Sequence, residues 1–369
     1  MSNYPVTGSI RPREALQVMK PYSPGKPIWE VQQEWGLEKV IKLASNENPL
    51  GPSPKAAAAI QACLSDLNRY PDADTSVLKE AIAAKLGFTS EQLIVTNGAG
   101  ELITLISEAF LEANDEIVVP SPTFSEYEFG AALMGTRLIT VPLLTKDRYD
   151  VDGILAAVTE RTKIVYICSP NNPTGTYMSK PELQRLMDTL PGHVLTVFDG
   201  AYSEFADAAD YSDGLELVRR GYPILIIRTF SKVYGLAGIR VGYGIADGSI
   251  VNAIRQVKEP FNVNALAQAG AIAALEDDEH LEATRESNRR GRKQLYEGLS
   301  QLGMHCEESM SNFLWVRLGT DAGLLYNQLM QRGVIVRYGG NWGYPEHVRI
   351  SVGSFEENER LLKELRTLL

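Results

Sequence analysis

The chain has 369 residues, 44% hydrophobic and 22% charged. That is too long for a single hydrophobic core, so two domains are expected, and the balance is ordinary for a globular protein. A net charge of −10 with no basic tail disfavours nucleic acid and acidic membranes as partners.

No apolar run approaches the roughly 18 residues of a membrane span, and the N-terminus lacks a signal-peptide core. Cys63, Cys168 and Cys306 are widely spaced and odd in number, which suggests no disulfide framework and a reducing, cytoplasmic setting. His193, His280, His305 and His347 lie far apart, so no metal site is expected.

Residues 1–40 are rich in Pro, Gly and aromatics, too broken for a long helix, and are expected to drape over a neighbouring surface as an N-terminal arm. A short strand at 41–44 runs into Ser45-Asn46-Glu47-Asn48-Pro49, and an Ala-rich helix follows Pro54 to about residue 67. From about 77 to 260 helical and strand patterns alternate. Strands are expected at 93–96, 116–119, 138–141, 163–167, 194–198, 224–228 and 242–246, with helices between them near 75–86, 100–111, 124–134, 151–158 and 180–189. Such alternation predicts an α/β fold with a mainly parallel mixed sheet covered by helices on both faces. After Pro260 the pattern changes to a long helical region at 264–302, strands near 312–316, 334–337 and 348–352, and a terminal helix from Glu356, which reads as a smaller α+β unit. The expected divisions are an arm over 1–40, a large domain over 41–265 and a small domain over 266–369.

In an open parallel sheet, ligands bind beyond the carboxyl ends of the strands. After the first main strand comes Asn97-Gly98-Ala99-Gly100-Glu101, opening a helix. Small residues there leave backbone N–H groups for an anion, although an ordinary helix start has the same composition. After the fourth comes Ser169-Pro170-Asn171-Asn172-Pro173-Thr174-Gly175, by itself a rigid turn. After the fifth comes Asp199-Gly200-Ala201-Tyr202, with a carboxylate that is costly to bury unless paired. After the sixth comes Ser231-Lys232-Val233-Tyr234-Gly235, with Arg240 eight positions beyond the lysine. A lysine on a tight loop beside a hydroxyl and a fixed cation suits a site that captures a carbonyl as an imine and holds a phosphate. The bland reading is a solvated Lys and Arg on a glycine-rich loop.

This ordered set resembles the aspartate-aminotransferase superfamily, the fold type I pyridoxal-phosphate enzymes, and within it the histidinol-phosphate aminotransferase branch. The resemblance runs from Lys42–Gly51 to Arg349–Gly353. It implies pyridoxal 5′-phosphate bound to Lys232, with Asp199 on the pyridine nitrogen and Asn172 and Tyr202 on the phenolic oxygen. Thr229, Ser231, Arg240 and the amides of Ala99 and Gly100 would hold the phosphate, and Phe124 would stack on the ring; a core aromatic is the other reading of Phe124. Tyr70 matches a tyrosine that reaches the neighbouring subunit's cofactor, which implies a homodimer with shared sites. Arg337 and Arg349 match a pair that grips the substrate phosphate, where two structural ion pairs are the alternative, and Tyr22 and Asn46 match residues lining that pocket. The implied reaction is transamination between L-histidinol phosphate and 2-oxoglutarate, or glutamate in reverse, in histidine synthesis.

Aromatic amino acids are the alternative substrates, and a threonine-phosphate decarboxylase-like enzyme is a further reading with the same cofactor. A pyridoxal-phosphate-binding regulator would need a basic DNA-binding segment that is absent before residue 40. Gly242 and Gly244 imitate a dinucleotide fingerprint but follow a late strand and lack the acidic ribose partner. Three positions depart from the branch: Ala99 and Gly100 stand where many members have Ser and Asp, and Gly200 where many have Glu, the last a change expected to loosen the neighbourhood of the site.

Overall fold

The computed structural model describes residues 11–13, 15–19, 25–319 and 322–369. Strand β1 (Ile41–Lys42) belongs to the small unit's side, where it pairs in parallel with a later strand. The main sheet contains β2 (Leu93–Thr96), β3 (Glu116–Ser121), β4 (Arg137–Pro142), β5 (Thr162–Cys168), β6 (Leu195–Asp199), β7 (Ile224–Thr229) and β8 (Gly242–Ile245), in the order β2-β8-β7-β6-β5-β3-β4. Strand β8 is antiparallel to both β2 and β7, and the remaining pairings are parallel. The reversal of β8 matters for the site. It brings the start of β8, with Arg240 just before it, to the edge where the other strands end.

Burial on both faces explains why the central strands β5 and β7 read as nearly continuous apolar runs. In β5, Ile164 and Tyr166 point into one core cluster while Val165 and Ile167 point into the other. The same alternation divides Leu225 and Ile227 from Ile224 and Ile226 in β7. Helix starts follow local chemistry. Ser53 Oγ accepts from Ala56 N at 3.0 Å ahead of Pro54, and Ser179 with Glu182 and Ser354 with Glu357 form capping boxes.

The second sheet comprises β9 (His305–Cys306), β10 (Phe313–Arg317), β12 (Arg337–Tyr338) and β13 (His347–Ser351), antiparallel in the order β12-β13-β10-β9, while β11 (Val334–Ile335) is the partner of β1. Its core joins Leu314, Val316, Val348 and Ile350 to Leu295 and Leu299 of helix Asp278–Gln301 and to Leu361 and Leu365 of helix Phe355–Leu368.

Two element boundaries differ from the expectation. The helical region expected over 264–302 divides into two helices, Ala265–Leu275 and Asp278–Gln301, because the Asp277 side chain accepts from His280 N and starts a new one. Helix Ala265–Leu275 packs on helices Pro54–Cys63 and Ser76–Leu86, and its Ala267 and Ala271 belong to a core of the main sheet. The Ala-rich helix ends at Cys63 and tightens into a single 3₁₀ turn over Leu64–Asp66. Within the expected arm, helix Ile28–Trp35 buries Val31 with Ala44, Met330 and Ile335 of the smaller unit. Further back, Arg13 donates to Leu133 O at 2.7 Å in a helix of the larger one.

Candidate active site

A cavity of about 490 Å³ lies at the carboxyl edge of the main sheet, closed on the other side by β1, β12 and β13. Strand ends supply its floor. Asp199 ends β6 and is 3% exposed; its Oδ2 accepts from Tyr127 Oη at 2.6 Å and its Oδ1 from Ala201 N at 3.0 Å. Burial pushes its carboxyl up, while the Tyr127 and Ala201 bonds and the charges of Arg228 and Lys232 pull the other way.

Lys232 follows β7 and donates from Nζ to Ser45 O at 2.9 Å. Burial, reinforced by the positive charges of Arg349 and Arg240, brings its pKa down to about 8 against the partial opposition of Glu47. The loop carrying it is closed by Gly235, at φ 68°, where any Cβ would press on the backbone carbonyl of Gly51. Tyr202 lies beside the lysine, with its ring centroid 5.9 Å from Nζ, and burial pushes its phenol up.

An anion cradle occupies another part of the cavity. Gly98 precedes helix Ala99–Phe110 without any side-chain cap, so the first amides of that helix have no partner within it. Close approach is built in: a Cβ on Gly242 would stand 2.6 Å from Ala99 N, and one on Gly98 would collide with Arg240 Nη2. Arg240, at φ 61°, donates to Ser231 Oγ at 3.4 Å and Ala237 O at 3.1 Å, and the Thr229 hydroxyl accepts from Ser231 N at 3.1 Å. Uncapped amides, two hydroxyls and a guanidinium form a donor set suited to a phosphate. With a low-pKa amine and a buried carboxylate in the same cavity, these residues fit pyridoxal 5′-phosphate.

On the side of the small sheet, Arg349 donates from Nη1 to Asn172 Oδ1 and from Nη2 to Ala44 O at 2.6 Å. Asn46 sits at φ 56° and is 1% exposed. Its Nδ2 donates to Tyr202 Oη at 3.0 Å and its Oδ1 accepts from Ser351 Oγ at 2.9 Å. The Arg337 and Arg349 guanidinium carbons lie 5.9 and 5.3 Å from the centroid of the Trp342 ring, and Trp342 Nε1 donates to Thr123 O at 3.1 Å. The turn leading to Phe124 is tied further by Asn171, which donates to Pro122 O at 3.0 Å and accepts from Thr123 Oγ1 at 2.8 Å.

The structure therefore brings Lys232, Asp199, Tyr202, Asn172, Phe124, Thr229, Ser231, Arg240, Ala99, Gly100, Asn46, Arg337 and Arg349 around one cavity. Tyr70 does not line it; it is 83% exposed and stacks on Phe261 at 4.7 Å. Tyr22 lies outside the described residues. Tyr127, Asn171 and Trp342 were not singled out from sequence. Each acts through a partner remote in sequence, and no local spacing signals that.

The two unusual glycines differ in kind. A Cβ on Gly100 would meet nothing within 4 Å, so the position is open. The expected loosening at Gly200 is replaced by a filled space: Ser203 Oγ would stand 2.5 Å and the Arg228 guanidinium 3.3 Å from a Cβ there. Arg228 is held in turn by Glu204 at 3.5 Å and Asp213 at 3.3 Å. Among the described residues no group of His, Cys, Asp and Glu could hold a metal ion, and no helix is long and apolar enough to cross a membrane.

Comparison with known proteins agrees with this geometry. A family model described as aminotransferase class I and II matches residues 38–365. The histidinol-phosphate aminotransferase of Moorella thermoacetica is 47% identical over 367 residues, covering 99% of this chain and 95% of its own. That of Bacillus pumilus is 42% identical over 357 residues, covering 97% and 98%. Among solved structures, histidinol-phosphate aminotransferase from Sinorhizobium meliloti in complex with pyridoxal-5′-phosphate superposes with a TM-score of 0.90 at 27% identity, over 98% of this chain and 100% of that one.

Proposed function

The chain belongs to the class I and II aminotransferase family, and from that premise we infer that it exchanges an amino group between L-histidinol phosphate and 2-oxoglutarate in histidine biosynthesis, using pyridoxal 5′-phosphate. The observation that carries this reading is one cavity holding a low-pKa lysine, a buried aspartate, a phosphate cradle and, apart from that cradle, the pair Arg337 and Arg349.

When bound, the cofactor supplies a conjugated heterocycle that accepts the electron pair released as the substrate's Cα–H bond breaks. The chain's own residues do the rest. Lys232 would hold the cofactor's carbonyl carbon and, once displaced by the substrate amine, carry the proton away from the substrate Cα; a pKa near 8 leaves a useful fraction of neutral amine at physiological pH. Asp199 would hold the proton at the pyridine nitrogen, and Tyr127 keeps its carboxylate oriented. Asn172 and Tyr202 would donate to the phenolic oxygen. Ala99, Gly100, Thr229, Ser231 and Arg240 would hold the 5′-phosphate, with Phe124 on the ring face. Arg337 and Arg349 would bind the substrate phosphate, and Asn46 orients Tyr202 beside them.

The reading extends to a homodimer in which Tyr70 serves the partner's cavity. Its support is a tyrosine that is exposed, stacked on the half-exposed Phe261 and outside its own chain's cavity. Mixing Tyr70→Phe with Lys232→Ala subunits tests it: shared sites yield some fully intact cavities and a different cofactor stoichiometry from either parent.

The substrate assignment is tested with holoenzyme, 2-oxoglutarate and each of histidinol phosphate, phenylalanine and tyrosine. The expected result is the highest kcat/KM with histidinol phosphate, accompanied by glutamate and no carbon dioxide. A higher value with phenylalanine would move the assignment to an aromatic aminotransferase, and release of carbon dioxide to a decarboxylase.

A further inference from the structure

Three acidic side chains line the cavity among the described residues: Asp199, Glu47 and Glu126. Asp199 is held by Tyr127 and Ala201, and Glu47 pairs with Lys42 at 3.0 Å. Glu126 opens helix Glu126–Met134, two positions beyond Phe124, and makes no hydrogen bond or ion pair with any described residue. It is half-buried, and burial is the one influence that moves its carboxyl, upward; no cation of the cavity offsets it.

Such a carboxylate is out of place in a cavity built for anions. A substrate that brings a phosphate adds more negative charge, and a desolvated carboxylate without a donor is costly. The cost disappears if the substrate itself supplies the donor. Of the substrates compatible with the two arginines, histidinol phosphate carries an imidazole N–H remote from its phosphate, whereas a phenyl ring has no polar hydrogen to offer.

We propose that Glu126 reads the substrate's ring: its carboxylate accepts the imidazole N–H of histidinol phosphate and thereby selects that substrate over phenylalanine. This rests on the substrate assignment above. Arg337, Arg349, Phe124 and Glu126 line the same cavity; with the arginines on the phosphate, the Glu126 carboxylate would meet the ring through a charge-assisted hydrogen bond. A benzyl group in the same place leaves the carboxylate half-buried and unsatisfied, so discrimination comes as much from rejecting the wrong ring as from holding the right one.

The test compares wild type, Glu126→Gln and Glu126→Ala holoenzymes with histidinol phosphate and phenylalanine as donors. Glu126→Ala is expected to lower the ratio of kcat/KM for histidinol phosphate to that for phenylalanine about tenfold to a hundredfold, mainly through KM. Glu126→Gln, which keeps an acceptor oxygen but loses the charge, falls between. A calorimetric Kd of histidinol phosphate for proteins loaded with pyridoxamine 5′-phosphate, which fills the cradle and does not react with an amine donor, is expected to weaken in the same order, with the Kd of inorganic phosphate, which has no ring, as the reference. Equal losses for both substrates, or a ratio within about twofold of wild type in both variants, would overturn the role of Glu126 alone. Wild-type enzyme that fails to use histidinol phosphate would overturn the substrate assignment and this inference together.

Discussion

The phenolic oxygen of Tyr127 lies 2.6 Å from Asp199 Oδ2, and both side chains are buried. The Tyr127 ring is fixed by stacking on Tyr166 at 4.5 Å, and its pKa is raised well above the usual value by burial first and by Asp199 next. It therefore stays protonated and acts as a donor. Removing it with Tyr127→Phe leaves the carboxylate with one fewer bond, so the Asp199 pKa rises further. A lost hydrogen bond to a charged group is worth about 1.5–3 kcal/mol, or roughly tenfold to a hundredfold. The expected outcome is weaker cofactor binding and an acid limb of the kcat profile displaced to higher pH. An unshifted profile in a folded variant would remove Tyr127 from the site's electrostatics.

Lys232 is the second group whose titration can be followed. Its folded pKa of about 8 lies below the unfolded value near 10.5, so the fold disfavours the ammonium form. The sign follows: this group destabilises the cofactor-free protein below pH 8, and stability is regained as pH rises from about 8 towards 10.5, where the unfolded chain also loses its proton. Modification of Lys232 by trinitrobenzenesulfonate in cofactor-free protein should show a midpoint near pH 8. In Arg349→Ala, which removes the second-largest cause of the depression, the midpoint should move upward. A midpoint near 10.5 in the wild-type protein would contradict the desolvated environment.

The two arginines should separate by substrate. Arg349 is locked to Asn172 and Ala44 by two donors, a geometry that lysine cannot reproduce. Arg349→Lys is expected to raise KM about tenfold or more for both histidinol phosphate and glutamate. Arg337→Ala is expected to raise KM for histidinol phosphate by a similar factor, and to affect glutamate less, because a phosphate has more charge for a second guanidinium to meet. Steady-state kinetics with each donor decides, and parallel effects of Arg337→Ala on both would refute the assignment.

Gly98 tests the cradle. It sits at φ 87°, and a Cβ there would strike Arg240 Nη2 and stand 3.0 Å from Cζ. Gly98→Ala is expected to cost about 1–3 kcal/mol, because φ 87° with ψ 164° is a conformation essentially confined to glycine, and to displace the guanidinium, weakening cofactor binding about tenfold. Gly235→Ala strikes backbone rather than a movable side chain, so its loss of thermal stability should be larger. Equilibrium dialysis of the cofactor and thermal melts of both variants provide the comparison.

Much of this architecture was legible in the linear chain. Runs such as Ile224-Leu225-Ile226-Ile227 announced strands buried on both faces, and the residues after them announced where a ligand would sit, because parallel strands present their ends at one edge. A break set by a single side chain carries a weaker signal, as with Asp277 dividing the helical region over 264–302, since an aspartate in a polar stretch has many equivalent fates.

By itself, then, the sequence determined the alternation of elements and which loops, that of Lys232 among them, follow the strand ends and line the cavity, all of which depend on neighbours within a few positions. Only the tertiary structure decided the reversal of β8 that carries Arg240 to the cradle, the Tyr127 bond across 72 positions to Asp199, the filling of the Gly200 space by Arg228, and the placing of Glu126 in the cavity. These depend on contacts between segments far apart in the chain, whose free energies arise from burial and hydrogen-bond geometry that no local pattern encodes.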